Sequence, residues 1–448
     1  MTEHFCFQVI LAVTLWIALP LSILRWRTAV FGIIFWDVVR DPLRKLFPEQ
    51  QIAIVMFGLL LWLGCLCGCL LEHHRNWPNW AFLKSLRIPS VGLAIFLLCG
   101  ITTGLVHSDP LPVMMLGFLS FTFPILGFPI GVRFGIHAKD VLRLSICYVI
   151  LNSIGIASAI PEVLGVKSPI LGGIQMEWYR FRGDFSIPLP SGIYRSPDIL
   201  GLHAAFVCVC ACLIGFYSER RWLKVSAVSF AGFSFVLLIF SARRKMLGLL
   251  LSFLVLHGVS CWRRRVSPFD RILSQPLLLS SAVVSLVLVS AVFWIHLQMQ
   301  TLFAVTVITE LPERFFNSIV ASPFMTYNQT GFWGTGLGTA TQGNAYFAPV
   351  GFSFGWQEDG IGRLMREGGV IGSVIFLISI LWFVWNLLPS PSNVRGGWQN
   401  GLWSLFVANL CCLAISHQHL SGDPIFGAML GLIAGLSSSP LQIAMAND

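Results

Sequence analysis

The sequence predicts an all-α, polytopic membrane protein of about twelve transmembrane helices with a long late external loop. Three observations carry that prediction. Of 448 residues, 56% are hydrophobic and only 11% are charged, at a mean hydropathy of +0.77. Apolar runs of about 20 residues, enough to cross the hydrocarbon core as a helix, recur along most of the chain. These runs are continuous rather than alternating, which disfavours a β-barrel.

In chain order, the spans fall near 5–24, 51–71, 88–106, 111–132, 140–160, 197–217, 222–242, 245–261, 277–297, 367–387, 400–416 and 424–442. The first run, Phe5–Leu24, lacks a basic leader and a small-residue cleavage site and reads as a retained helix. The segment 28–40 is too short to span and is expected to lie in or dip into the membrane. Two connections are long, about 161–196 and about 298–366. Both are rich in Gly, Pro and aromatic residues, and ordered loops of this length usually carry function. The chain thus divides into N-terminal transmembrane helices (1–160) and a C-terminal region (161–448) that holds both loops.

The net charge of +9 does not point to nucleic acid, because the cations sit in short loops between spans. Topology and phosphate-bearing membrane lipids account for them better. Glu219-Arg220-Arg221 with Lys224, Arg263-Arg264-Arg265 with Arg271, and Arg133 with His137, Lys139 and Arg143 mark the cytoplasmic side. The N-terminus is then inside and both long loops outside. Arg25, Arg27, Arg40, Arg44 and Lys45 fit this scheme badly. The twelve cysteines lie almost wholly in apolar runs, at spacings that suit soft packing rather than a shared metal site.

Chemistry concentrates in a few segments. Arg243-Arg244-Lys245 sits between two spans on the external side, against the usual charge bias. It reads either as an anion site, because guanidinium forks match phosphate oxygens, or as snorkelling at a helix end. The first long loop carries Arg180, Arg182 and Arg195 among aromatic residues, then Ser196-Pro197-Asp198. Pro197 and Asp198 suit the first turn of a helix and its dipole. In the second loop, Gly334-Thr-Gly336-Leu-Gly338-Thr339 fits a backbone in close approach, and no phosphate-loop Lys follows. The densest cluster is Glu358, Asp359, Arg363, Arg366 and Glu367, directly before a long apolar run. Arg363 and Glu367 are four apart and can pair on one helix face. Glu358 or Asp359 suits a general base acting on a hydroxyl, while an acidic residue here also suits a helix N-terminus. No Asp-x-Asp or His cluster suggests a metal, and no cofactor is expected.

Together these segments resemble the O-antigen ligase/polymerase family of bacterial membrane glycosyltransferases over about residues 175–440. The resemblance rests on Gly192-Ile-Tyr-Arg195-Ser-Pro197-Asp198-Ile-Leu-Gly201, on Ser241-Ala-Arg243-Arg244-Lys-Met-Leu-Gly248, on Gly334–Thr339, and on Glu358-Asp359 followed by Glu367-Gly-Gly369-Val-Ile-Gly372. Where that family carries a motif His followed by Asn, this chain has Glu358 and Asp359. The resemblance implies about twelve helices in the bacterial inner membrane, with the late loop and the site on the periplasmic face. It implies transfer of a glycan from a polyprenyl diphosphate carrier to a sugar hydroxyl of a glycan or glycolipid acceptor. Arg243 would stabilise the leaving diphosphate and Glu358 deprotonate the acceptor, with Arg195, Arg244, Arg180, Arg182, Asp359, Arg363 and Glu367 holding substrate. A multi-pass transporter and an inactive member of the family are the competing readings.

Overall fold

A computed structural model of the chain describes residues 2–72, 81–174, 177–182, 185–263, 311–341, 344, 359–388, 394–415 and 424–437. The protein is a helical membrane protein. Among the described residues, eight helices are long and apolar enough to cross a bilayer, and two shorter apolar helices accompany them. The expected span at 277–297 lies outside the described residues. The chain forms two compact units, Met1–Arg75 with His137–Val307, and Asn76–Ile136 with Ile308–Asp448.

The first unit contains α1 (Thr2–Leu24), α2 (Trp26–Leu46), α3 (Gln51–Glu72), α4 (Ala138–Ala157), the short α5 (Ala159–Val163), α6 (Pro197–Tyr217), α7 (Arg221–Phe240) and α8 (Arg244–Arg263). Between α5 and α6 lies an antiparallel hairpin, β1 (Tyr179–Arg182) and β2 (Phe185–Pro188), with Tyr179 opposite Pro188. Helix α6 is the most deeply packed apolar element of the unit.

Helix α2 is longer than the segment expected at 28–40, though it is not one of the eight helices apolar enough to cross a bilayer. It runs for 21 residues, or roughly 30 Å at 1.5 Å per residue. Its acids and bases let the helix continue through six charges. Arg40 pairs with Asp37 at 2.9 Å and Arg44 with Asp41 at 3.2 Å, each three residues apart on one face. The face bearing Val30, Ile33, Ile34 and Val38 is buried. The five cations that fitted the charge bias badly therefore separate between two ends. At one, Trp26 Nε1 donates to Glu72, and Arg27 lies 3.7 Å from Glu72 and 3.8 Å from Asp140. At the other, Lys45 Nζ donates to the carbonyls of Ile170 (3.1 Å) and Gly192 (2.9 Å). The segment 161–196 thus packs over the far end of α2.

The second unit contains α9 (Ala81–Val106), α10 (Leu111–Gly135), α11 (Leu311–Phe316), a π-helical turn (Asn317–Ala321), α12 (Ser322–Thr330), α13 (Gly360–Asn386), α14 (Val394–Ile415) and α15 (Pro424–Ser437). Its tightest pairing is α10 with α15, and the sequence explains it. Gly127, Gly131 and Gly135 on α10 and Gly427, Gly431 and Gly435 on α15 each recur every four residues, so each set forms one bare stripe. A Cβ on Gly127 would strike the carbonyl of Pro424, one on Gly131 that of Ala428, and one on Gly431 that of Phe128. Where lipid is as apolar as the side chains, backbone approach of this kind supplies the packing energy. Elsewhere in the unit, Phe96, Phe121 and Phe376 form an aromatic core with Leu337 and Leu364.

Gly431→Val is expected to cost roughly 3 kcal/mol or more by overpacking against backbone that has no rotamer to change. Thermal denaturation of detergent-purified protein checks this, and a wild-type midpoint would show that the two helices do not meet along these glycines.

Candidate functional sites

In the first unit, the candidate residues gather at the end that carries the 161–196 segment. Pro197 opens α6, and Asp198 beside it is 3% exposed. As the sequence suggested, an acid sits in the first turn of the helix, but it is also paired with Lys245 on α8 and with Arg243 just before it. Lys245 Nζ lies 2.8 Å from Asp198 Oδ1, and Arg243 Nε lies 3.3 Å from the same oxygen. The other face of this constellation is aromatic, for the Arg243 guanidinium lies over the Trp178 ring at 5.2 Å. Arg244, half-buried, follows Arg243 at the start of α8.

The turn that holds these cations is built for position. Ala242 takes a left-handed φ of 49°, costly for a residue with a Cβ, between the Ser241 that closes α7 and Arg243. Gly201 lets α6 approach that turn: a Cβ there would lie 2.8 Å from Ser241 Oγ and 3.3 Å from Arg243 Cβ. Arg195 is half-buried, and its backbone N–H donates to Asp41 Oδ2 at 3.0 Å. The preceding residues are tied down one by one. Glu162 accepts the N–H groups of Ser191 (2.9 Å) and Gly192, and Ser158 Oγ accepts that of Ile193 at 2.7 Å. Tyr194 donates to Asn152 Oδ1 at 3.1 Å and stacks on His203 at 4.7 Å. Burial holds the Tyr194 hydroxyl above the ordinary phenol range, with Asp41 and Asp37 adding to the effect, so it serves as a neutral donor. Arg180 and Arg182 lie on β1, but their side chains are outside the described residues.

Beside this cluster, Glu162, Lys167, Ser168, Glu177, Trp178 and Tyr179 are among the residues that line a cleft of about 480 Å³. Tyr179 donates to Glu177 at its rim, and that hydrogen bond, with the carboxylate charge behind it, raises the Tyr179 pKa.

In the second unit, Glu358 lies outside the described residues. Asp359 caps α13, its carboxylate accepting the N–H of Gly362 and the hydroxyl of Ser322. Arg363 and Glu367 pair, Nε to Oε1 at 2.9 Å, as their spacing predicted. Both are also sealed from solvent, at 2% and 0% exposure, which the sequence did not indicate. Arg363 Nη2 donates to Ser120 Oγ (2.9 Å) and Thr341 Oγ1 (2.8 Å), and Thr341 donates to Glu367 at 3.1 Å. The guanidinium also lies 5.0 Å from the Phe121 ring. The pair therefore fastens α10, α13 and the Gly-rich segment together.

That segment is the close-approach backbone its glycines suggested. Gly334, Gly336 and Gly338 all have positive φ (78°, 110° and 86°). It meets a break in α13 at Gly369, where φ is 66°. The break frees backbone groups that the segment takes up: Thr335 N–H donates to the Arg366 carbonyl (2.7 Å) and Val370 N–H to that of Phe332 (3.0 Å). Leu337 N–H donates to the Gly100 carbonyl at 3.1 Å and Thr103 Oγ1 to that of Trp333 at 3.2 Å. Asp109, in the turn before α10, lies against Gly336, and burial raises its pKa.

Sequence reasoning missed Asp198 as the counter-ion of Arg243 and Lys245, and missed Asp41, Glu162 and Trp178 altogether. Glu162 had a readable signal, being an isolated acid at the end of an apolar run, whereas Asp41 was masked by the charges around it. Trp178 had none, because its partner Arg243 is remote in sequence. No protein-family model matches the chain, and no curated protein matches it.

Removing one partner of the buried pair leaves a bare charge. Arg363→Met alone is expected to cost about 3–5 kcal/mol, and Arg363→Met with Glu367→Leu to recover most of it. Unfolding midpoints of the purified variants check this; a single variant as stable as wild type would show that the pair is hydrated rather than sealed.

Proposed function

We propose that the protein is a membrane glycosyltransferase that moves a glycan from a polyprenyl diphosphate carrier to an acceptor sugar hydroxyl at the periplasmic face, as a surface polysaccharide polymerase or ligase. The observation that carries this reading is the turn at 241–246. Arg243 and Lys245 lie against the buried carboxylate of Asp198, with Arg244 next in sequence, so three cations are gathered at one turn. Negative charge grows on the leaving diphosphate as the glycosyl bond breaks, and preorganised cations stabilise it without reorganising. Arg195, its backbone fastened to Asp41, adds to the field from the same end of the unit. The base that takes the proton from the acceptor hydroxyl is Glu358, one residue before the cap of α13.

Helix α2, although not one of the eight apolar helices, is taken on this reading as a further crossing. Counted as a crossing, it puts the start of α1 on the outer side rather than the inner, and moves Arg25 and Arg27 to the cytoplasmic side, where the charge bias wants them. The sites at Arg243, Arg195 and the 161–196 segment stay external. With this crossing and the segments outside the described residues, the span count is about twelve or one more.

Arg243→Ala and Glu358→Gln are each expected to make glycan-loaded polyprenyl diphosphate accumulate, with protein level and topology normal and transfer down by about 10²-fold or more. Thin-layer or mass-spectrometric analysis of extracted lipid-linked glycans reads this. Unchanged surface polysaccharide in the Glu358→Gln strain would sink the mechanism.

A second reading, a transporter, draws support from the buried Arg363–Glu367 pair beside the helix break at Gly369, an arrangement that solute sites also use. Solute uptake by proteoliposomes without glycan turnover would favour it.

A further inference from the structure

We infer that the cleft over the 161–189 segment is a saccharide-binding subsite, placed to take the sugar units attached to the diphosphate held near Arg243. Identifying the ligand as the carried glycan rests on the transferase reading; the chemistry of the cleft stands without it. At about 480 Å³ it has the size of a small-ligand site. Its wall includes two adjacent aromatic residues, Trp178 and Tyr179, where the hairpin begins. The backbone fixes them, since Leu189 N–H donates to the Trp178 carbonyl at 2.8 Å and Tyr179 pairs with Pro188. Trp178 is half-buried and its indole Nε1 makes no hydrogen bond among the described residues, whereas Tyr179 is 46% exposed. Rigid amphipathic rings of this kind match the alternately apolar and hydroxylated faces of a pyranose.

The remaining lining decides among ligand classes. Glu162 and Glu177 outnumber Lys167 in the lining, which does not favour a free phosphate or other polyanion in the cleft itself. A prenyl or acyl chain would meet carboxylates, a lysine and the Ser168 hydroxyl, which it cannot satisfy. Hydroxyl groups satisfy all of these. Glu162 is committed to the amides of Ser191 and Gly192, which leaves Glu177 as the side-chain acceptor at the rim. The neighbouring cation site completes the division of labour. Trp178 lines the cleft and also lies under the Arg243 guanidinium, so the sugar and diphosphate sites share one side chain as a wall.

The test uses full-length protein in lipid nanodiscs. The probe is the oligosaccharide freed from the source cells' lipid-linked glycan by mild acid and phosphatase, carrying neither lipid nor phosphate. Calorimetric titration is expected to give saturable binding to wild type. Trp178→Ala weakens it by about ten-fold or more, as the loss of one well-stacked ring predicts, and Trp178→Phe retains most of it. Tyr179→Ala, at an exposed position whose loss leaves the fold intact, also weakens it. No binding by wild type, or equal binding by wild type and both alanine variants, would overturn the inference. Glycan transfer measured in the same nanodiscs separates the two proposals. Sugar binding that depends on Trp178 without any transfer keeps the subsite and removes the transferase reading. Transfer without binding of the phosphate-free sugar does the reverse.

Discussion

A charge removed from water inside a membrane protein must find its partner within the protein, and this requirement organises both units. Asp41, Asp198 and Glu367 are all almost wholly buried, and each is the point at which elements distant in sequence meet. Asp41 joins α2 to the backbone of Arg195, and Asp198 joins α6 to α8. Glu367, through Arg363 and Thr341, joins α13 to α10 and to the Gly-rich segment. Apolar contacts press the helices together but are indifferent to small shifts along the axis. Buried ionic contacts set the register, because sliding by one residue would strand a charge at a cost of several kcal/mol.

Backbone obeys the same rule. Peptide groups outside a helix survive at membrane depth only where protein satisfies them. The glycines at 334, 336, 338 and 369 let an irregular segment come near enough to do so, and a side chain at any of them would strike its neighbours. The break in α13 and the irregular segment therefore depend on one another: each supplies what the other lacks. The paired glycine stripes of α10 and α15 serve a simpler end, bringing two intact helices into backbone contact.

Much of this was legible in the sequence, for identifiable reasons. Apolar run length marked the spans because bilayer thickness leaves little freedom in helix length. The Arg363–Glu367 pair and the start of α6 at Pro197 followed from local spacing. Burial of that pair did not, since it depends on Ser120 and Thr341, far away in sequence. Helix α2 is longer than its apolar stretch suggested because hydropathy counts its six charges as a penalty, whereas charges three residues apart cancel locally. The Asp198 constellation was out of reach for the opposite reason. Its acid and its cations each looked sufficient alone, one as a helix-dipole partner and the others as an anion site, and only the fold brings them within 3.3 Å.

That meeting bears directly on the proposed chemistry. A loose cluster of three cations would repel itself and pay to become ordered whenever an anion arrived. One buried carboxylate removes both difficulties. It offsets part of the charge and holds Arg243 and Lys245 within 3.3 Å of one oxygen. The strained turn at Ala242, the bare surface of Gly201 and the Trp178 ring under Arg243 restrict the same side chains from three further sides. Stabilising a leaving group by several kcal/mol requires donors that are already aimed when charge develops. On the transferase reading, Asp198 is thus a positioning residue: it works by holding the cations rather than by touching the sugar. Its neutral isostere, asparagine, would keep the shape of the turn and lose the hold on the charges.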